Sequence, residues 1–239
     1  MKHEKSTYPQ GFVPFHSTNL FSLTSLFQSC TNIFQSKKSA DESLHTVSSL
    51  PVGTVIEFDE KGRVHLGRII DTIRNIGGAR YTVMDEHGKQ FSIADRQVAF
   101  SVPAHVNGQK ALLEFDQLCA VHVSSEQNLQ ERLDVSADLL EMVWEEILSS
   151  SSNDNDHDTV ITPSTFIDLL HSHSADHIEV YTAWRFLRTD LAHVFFKELK
   201  DHGRVISFKA KDNKAVEAAK VAFCQSHHGD DLCYVGLRP

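Results

Sequence analysis

The sequence predicts an α+β fold, in which a small β-barrel is followed by a helical domain. Short runs of β-branched and aromatic residues, separated by turn residues about every ten positions, fill residues 52–102. From residue 111 onward, apolar residues recur instead at helical spacing. The longest wholly apolar run is only a few residues, so we expect no membrane-spanning helix and no membrane partner.

Residues 1–49 are predicted to be a disordered N-terminal segment. Between Ser6 and Ser36 there is no Asp, Glu, Lys or Arg, and ten of these 31 residues are Ser or Thr. Such a segment cannot bury enough apolar surface to fold alone. A Ser-rich, acid-poor composition is typical of an organelle transit peptide, whereas the absence of arginine before Arg63 favours an untargeted tail or an imperfect gene start. We therefore expect an intracellular protein, with a plastid or a mitochondrion as the destination if the segment is a transit peptide.

Residues 50–105 are predicted to form the small barrel, of the SH3-like or OB-like kind. Five strands are expected, at residues 55–58, 63–73, 81–84, 90–93 and 97–102. Gly67 lies inside the long second run, where a bulge would bend the strand. Base stacking on such a barrel needs several aromatic rings on one face. Alternation instead turns several of the rings inward, so Phe58, Tyr81, Phe91 and Phe100 are interpreted mainly as core residues.

Residues 109–225 are predicted to be a helical domain that contains a winged helix, and residues 226–239 a C-terminal tail. Helices are expected at residues 111–126, 136–148, 163–170 and 175–188, followed by two β-like runs at 194–197 and 204–208 and a last helix at 214–224. Three helices followed by a β-hairpin are the plan of a winged helix, a helix-turn-helix with a β wing. Trp144 and Trp184 have Leu and Val neighbours at helical spacing and are expected in the core.

Charge is unevenly distributed along the chain, whose formal net charge is −9. Residues 111–160 hold twelve acidic residues against the single base Arg132, whereas residues 175–220 hold nine Lys or Arg against seven acids. A polyanion is therefore expected to meet the last segment first. The candidate nucleic-acid contacts are Arg185, Arg188, Lys197, Lys200 and Arg204, with Arg68, Arg74 and Arg80 as weaker candidates on the barrel.

The sequence offers no convincing catalytic or metal-binding motif. Asp154, Asp156 and Asp158 begin like a calcium loop but lack its glycine and its final glutamate. Neither the histidines at 171, 173 and 177 nor the Cys and His residues at 224, 227, 228 and 233 fit a standard metal site. Four scattered cysteines indicate a reducing compartment rather than a disulfide scaffold. We therefore expect no catalytic residue, metal or cofactor in this chain.

Two stretches of the sequence resemble a known family. Residues 84–88, 92–93, 96–98 and 102–103 are similar to the first small barrel of ribonuclease II/R-type exoribonucleases of cyanobacteria and plant organelles. Asp134, residues 139–141, 144–145 and 148, and residues 161–163 resemble the winged-helix region that follows it. The pieces also occur in the family's order, and the resemblance covers about residues 50 to 225.

The resemblance implies a non-catalytic, RNA-associated region that guides single-stranded RNA to a catalytic domain. In this family a large magnesium-dependent domain degrades RNA from its 3′ end, and we expect that domain to lie outside these 239 residues. Two-metal chemistry needs several carboxylates on a rigid scaffold, and no residue here matches such a set. The partners implied are single-stranded RNA and a catalytic ribonuclease domain. The alternative is a winged-helix module that docks a protein partner through its acidic helices and holds no RNA.

Overall fold

A computed structural model of the chain describes residues 49–75, 78–102, 109–150, 160–171, 173–201 and 204–226. All of them lie in one compact unit, Val47–Pro239. The predictions for residues 1–48, the Asp-rich loop, the C-terminal Cys/His set apart from Cys224, and most of the tail fall outside the described residues.

The first element is a five-stranded antiparallel sheet. Its strands are β1 (Val55–Glu60), β2 (Arg63–Asn75), β3 (Gly78–Met84), β4 (Gln90–Ala94) and β5 (Val98–Val102), in the spatial order β4-β3-β2-β1-β5. A short 3₁₀ turn, Asp95–Gln97, carries the chain from β4 to β5. No ladder joins these two edge strands in the described part, so the sheet is confirmed whereas a closed barrel is not.

Helices fill most of the remaining chain. They are α1 (Gln109–His122), α2 (Glu126–Leu133), α3 (Ala137–Ser150), α4 (Pro163–His171), α5 (His177–Phe186), α6 (Ala192–Phe195) and α7 (Asn213–Ser226). The long helix expected at residues 111–126 ends earlier, at His122, and α2 is a separate helix. Ser125 caps α2 by accepting a hydrogen bond from the Asn128 amide, which explains the break.

A second, three-stranded sheet packs beside the helices. Its strands are β6 (Val160–Ile161), β7 (Phe196–Asp201) and β8 (Arg204–Ala210), ordered β6-β8-β7. The hairpin β7–β8 is the wing that the sequence predicts. Residues 194 and 195 belong to α6 rather than to the wing, and β6 is a short strand without a sequence signal of its own.

Alternation along β1 divides the apolar residues between two cores. Ile56 and Phe58 point into the sheet's own core, with the buried rings of Tyr81 and Phe91. Val55 points to the opposite side, where it joins the core of the helices together with Leu66 and Val102 from the neighbouring strands. Trp144 and Trp184 are buried in that second core, as the sequence predicts. The five-stranded sheet therefore has a core of its own and also contributes one side to the core of the helices.

Candidate nucleic-acid interface

Helix α5 and the turn that follows it carry two of the predicted contact residues, Arg185 and Arg188. Asp176 caps it by accepting hydrogen bonds from the amides of Ile178 and Glu179, both at 2.8 Å. The helix ends beside Arg185 and Arg188, where positive charge is favoured by the helix dipole. Its buried face then lies against β1 of the five-stranded sheet.

A buried carboxylate on β1 receives this face of α5. Glu57 has the same orientation as Val55 and is completely inaccessible to solvent. Its side chain accepts hydrogen bonds from the Tyr181 hydroxyl at 2.9 Å, the Trp184 indole at 3.2 Å and the Arg188 guanidinium at 2.7 Å. Three donors, one of them charged, offset the cost of burying the ion. These four residues, the Glu57 cluster, join the sheet to the helical domain.

Two further groups lie at the edge of the Glu57 cluster. The Arg185 guanidinium is 3.7 Å from the Glu57 carboxylate, and Nδ1 of His122 is 2.8 Å from the Tyr181 hydroxyl. Burial, together with the positive charge of Arg185, lowers the pKa of His122. Burial and the Glu57 charge raise the pKa of Tyr181. These shifts favour the neutral imidazole of His122 and the protonated hydroxyl of Tyr181, next to the ion pair of Glu57 and Arg188.

Arg188 also connects α5 to the wing. Its Nε atom is 3.3 Å from the carboxylate of Glu198 on β7, and its guanidinium lies 5.0 Å from the centre of the Trp184 ring. Lys200 contacts the other oxygen of Glu198 at 2.8 Å. Burial alone would raise the pKa of Glu198, but the hydrogen bond and charge of Lys200, with the charges of Arg188 and His193, lower it. Glu198 is therefore a carboxylate held between two cations.

A groove of about 430 Å³ opens between the five-stranded sheet and the wing. We call it the sheet–wing groove. Five basic side chains line it against two acidic ones, so its formal charge is positive although the chain as a whole is acidic. The basic residues are Lys61, Arg96, Arg188, Lys200 and Arg204, and the acidic residues are Asp59 and Glu198.

The groove continues past Arg96 and Arg204 into a second depression, which these two arginines line together with Asp95, Asp201 and several apolar residues. Phe100, Val205 and Ile206 line this part, and 60% of Ile206 is exposed. The Phe100 ring stacks on Trp184 with a centroid distance of 4.5 Å, which fixes the floor. The first section is positively charged, and the second combines apolar side chains with equal numbers of basic and acidic ones. Apolar surface next to a cationic section suits a ligand with alternating phosphate and base groups.

The structure brings only some of the predicted contact residues together. Arg188, Lys200 and Arg204 line the sheet–wing groove, whereas Arg185 lines another cavity, with Glu126 and His193. Lys197 is exposed on β7, opposite Lys209 in the β-ladder, and does not line the groove. On the sheet, Arg68, Arg74 and Arg80 are also outside it, and the last two contact Ser49 and Ser92, respectively.

Sequence reasoning missed two basic residues of the groove, Lys61 and Arg96. Lys61 lies in the turn between β1 and β2 with a positive φ of 57°, and Arg96 lies in the 3₁₀ turn before β5. Both turns look like ordinary solvated connections in the sequence. Only the arrangement of the sheet places them opposite the wing, so a basic residue in a tight turn was the sole available signal.

The described residues contain no group of three or more His, Cys, Asp or Glu side chains arranged to hold a metal ion. His171 and His173 stack on each other, and His173 contacts Glu179 at 3.1 Å, while His177 lies 3.2 Å from Glu114. Within the same ranges, no helix has the length and apolar character needed to cross a bilayer.

Comparison with known proteins gives one family match. No curated protein matches the chain. Among solved structures, the Dss1 exoribonuclease from Candida glabrata, determined as an active-site mutant, aligns with a TM-score of 0.43 and 11% sequence identity. The alignment covers 78% of this chain and 26% of that one, so this chain spans about a quarter of the length of that enzyme. Residues 125–215, from the start of α2 to the start of α7, match the family model of the winged-helix domain of ribonuclease II.

Proposed function

We propose that this chain is the RNA-associated, non-catalytic region of a ribonuclease II-like 3′–5′ exoribonuclease, and that its sheet–wing groove binds the backbone of single-stranded RNA. The observation that carries the proposal is the concentration of five basic side chains in one groove of an acidic chain. The match of residues 125–215 to a ribonuclease II winged-helix domain supports RNA as the polyanion.

The chemistry of RNA cleavage is assigned to a separate catalytic domain, which would supply magnesium and its carboxylate ligands. The described residues hold no carboxylate set that fits this metal, and no step of hydrolysis is assigned to them. The role of this region is then to hold and orient the strand. The proposal includes the cyanobacterial and plant-organelle type of enzyme, with a plastid or mitochondrial destination.

The direct test is a titration of the full chain with a fluorescently labelled oligouridylate at several salt concentrations. A groove that contacts phosphates gives an affinity that falls linearly with salt on a double logarithmic plot. We expect Arg96→Gln and Arg204→Gln each to weaken binding several-fold and to reduce the slope by about 0.7, the contribution of one phosphate contact on a single strand.

The matched control is Arg132→Gln, an exposed arginine in the last turn of α2 that does not line the groove. It removes the same charge from the chain but no groove contact. We therefore expect its affinity and its slope against salt to stay close to those of the wild type. A flat salt response, or equal losses in the Arg132 and Arg96 variants, would overturn the proposal. The first result would favour the alternative, a winged-helix module that docks a protein.

Charge reversal at Arg185 or Arg188 is a poor test of RNA binding. Both guanidinium groups lie within 4 Å of the buried Glu57 carboxylate, so a carboxylate in either place would disrupt the contact between sheet and helices. Loss of binding in such a variant would report unfolding as readily as lost phosphate contacts. Arg96 and Arg204 avoid this difficulty, because among the described residues no hydrogen bond or ion pair joins either of them to the Glu57 cluster.

A further inference from the structure

The basic residues of the sheet–wing groove differ in how strongly they are already neutralised. Lys200 is 2.8 Å from Glu198, and Arg188 lies between Glu57 and Glu198 at 2.7 and 3.3 Å. Arg204 is 3.7 Å from Asp95. Arg96 is exposed, and among the described residues no carboxylate lies within 4 Å of it. In the groove, Arg188 and Lys200 are thus already paired with Glu198, whereas Arg96 remains available to a ligand.

Glu198 stands in this groove where an anionic ligand would be expected. Its side chain is only 16% exposed, and the two oxygens of its carboxylate reach Arg188 and Lys200, respectively. A phosphate group bridges two cations with the same arrangement of charged oxygens. Lys200 is 55% exposed and Arg188 30%, so both stay accessible to a ligand from the open side of the groove.

On the basis of the proposed function, we infer that Glu198 occupies the position of a backbone phosphate in the free protein and is a specificity-determining residue of the groove. A strand of RNA must displace this carboxylate from Lys200 and Arg188. The binding free energy of a single phosphate is too small to break the ion pairs of Glu198. A strand also contacts Arg96 and Arg204, and these additional contacts offset the cost. Glu198 therefore lowers the affinity for all anions and selects chains over isolated phosphates.

The test compares the wild-type chain with Glu198→Gln, which keeps the shape of the side chain and removes its charge. We expect the variant to bind the oligouridylate about three- to tenfold more tightly, since a partly buried ion pair no longer has to be broken. The slope against salt should steepen by about 0.7, because one more cation is free to neutralise a phosphate. Inorganic phosphate should compete with the strand more effectively than it does in the wild type.

The matched control is Glu217→Gln on α7, which removes the same charge from an ion pair with Lys220 and does not line the groove. It should leave affinity, slope and phosphate competition close to wild type. In a Lys200→Gln background, the gain from Glu198→Gln should shrink, because the cation that it releases is missing.

The outcomes separate this inference from the proposed function. If the wild type binds RNA and the Glu198→Gln variant binds it equally or more weakly, only the inference is overturned, since Glu198 would then merely position Lys200. Absence of RNA binding in both proteins overturns the proposed function as well. Should Glu198→Gln not fold, single variants decide: the inference expects Arg96→Gln to cost more affinity than Lys200→Gln, and the opposite order overturns it.

Discussion

At the scale of single residues, the contact between the sheet and the helices depends on one ion. Glu57 has no solvent exposure. Tyr181 and Trp184 donate to it from α5, and Arg188 donates to it from the turn after that helix. Two of these donors have a second contact, since Arg188 also contacts Glu198 and the Tyr181 hydroxyl lies 2.8 Å from Nδ1 of His122. The same ion determines which arginines are available to a ligand, because it holds Arg188 and lies close to Arg185.

We expect Glu57→Ala to destabilise the protein by about 3 kcal/mol or more, because the change leaves a guanidinium, a hydroxyl and an indole N–H without their acceptor. Urea unfolding followed by circular dichroism measures this. The control Glu145→Ala removes an exposed carboxylate from α3 and should change the free energy of unfolding by no more than about 0.5 kcal/mol. Equal stability of the two variants would contradict a structural role for Glu57.

The distribution of charge along the sequence predicted Arg188, Lys200 and Arg204 among the nucleic-acid contacts, and the structure places all three in one groove. It could not show that Glu57 holds Arg188, since the two residues are 131 positions apart. It equally could not find Lys61 and Arg96, which are isolated basic residues in turns. Patterns of local spacing report the faces of single elements, whereas this site is formed by pairing between distant ones.

At the scale of elements, β2 shows why the long strand needs its glycine. A Cβ atom on Gly67 would lie 2.6 Å from Cγ1 of Val83 and 3.0 Å from the carbonyl oxygen of Met84 on the neighbouring strand β3. The register between these strands shifts between Ile69 and Asp71, so the bend expected near Gly67 occurs just after it. Gly67 is required by the close approach of β3, which its sequence position alone does not reveal.

Gly67→Ala is expected to cost about 1–3 kcal/mol, because the added Cβ atom would meet the side chain of the fully buried Val83 and the backbone carbonyl of Met84, and both would have to shift. A thermal melt followed by circular dichroism gives the result. Gly67→Ser should cost at least as much, since it adds a further atom at the same place. A melting temperature equal to that of the wild type would show that β2 and β3 separate more easily than their packing indicates.

Element types follow from the sequence better than their limits. Strands β1–β5, most helices and the hairpin of the wing appear where periodicity predicts them. The break between α1 and α2 was missed because the apolar spacing runs on through it, while the Ser125 cap ends the helix locally. The barrel was predicted from the number of short strands and the spacing of their turns, and neither determines whether two edge strands pair.

At the scale of the whole molecule, the sheet and the helical domain are not independent bodies. Val55, Leu66 and Val102 of the sheet belong to the same core as the helices, and Phe100 stacks on Trp184 across the boundary. The division into residues 50–105 and 109–225, predicted from composition, follows the change from strands to helices. Composition cannot report a core that both segments build.

We expect the described part of the chain to unfold in one cooperative transition, because a shared core couples its two segments. Trp184 lies at the boundary and Trp144 lies deep among the helices, and these are the only two tryptophans. Tryptophan fluorescence and far-ultraviolet circular dichroism should therefore give the same urea midpoint. Two separate midpoints would show that sheet and helices unfold independently.

The Glu57 cluster also limits which substitutions this sequence can accept in evolution. A single replacement in the Glu57 cluster leaves buried polar groups of the other members without a partner. A replacement is therefore tolerated only when a second change in the cluster accompanies it. Glu57 lies outside the stretch that matches the winged-helix family, and its partners lie inside it. In related chains, we therefore expect these four residues to be retained together, even where the rest of the sequence has diverged.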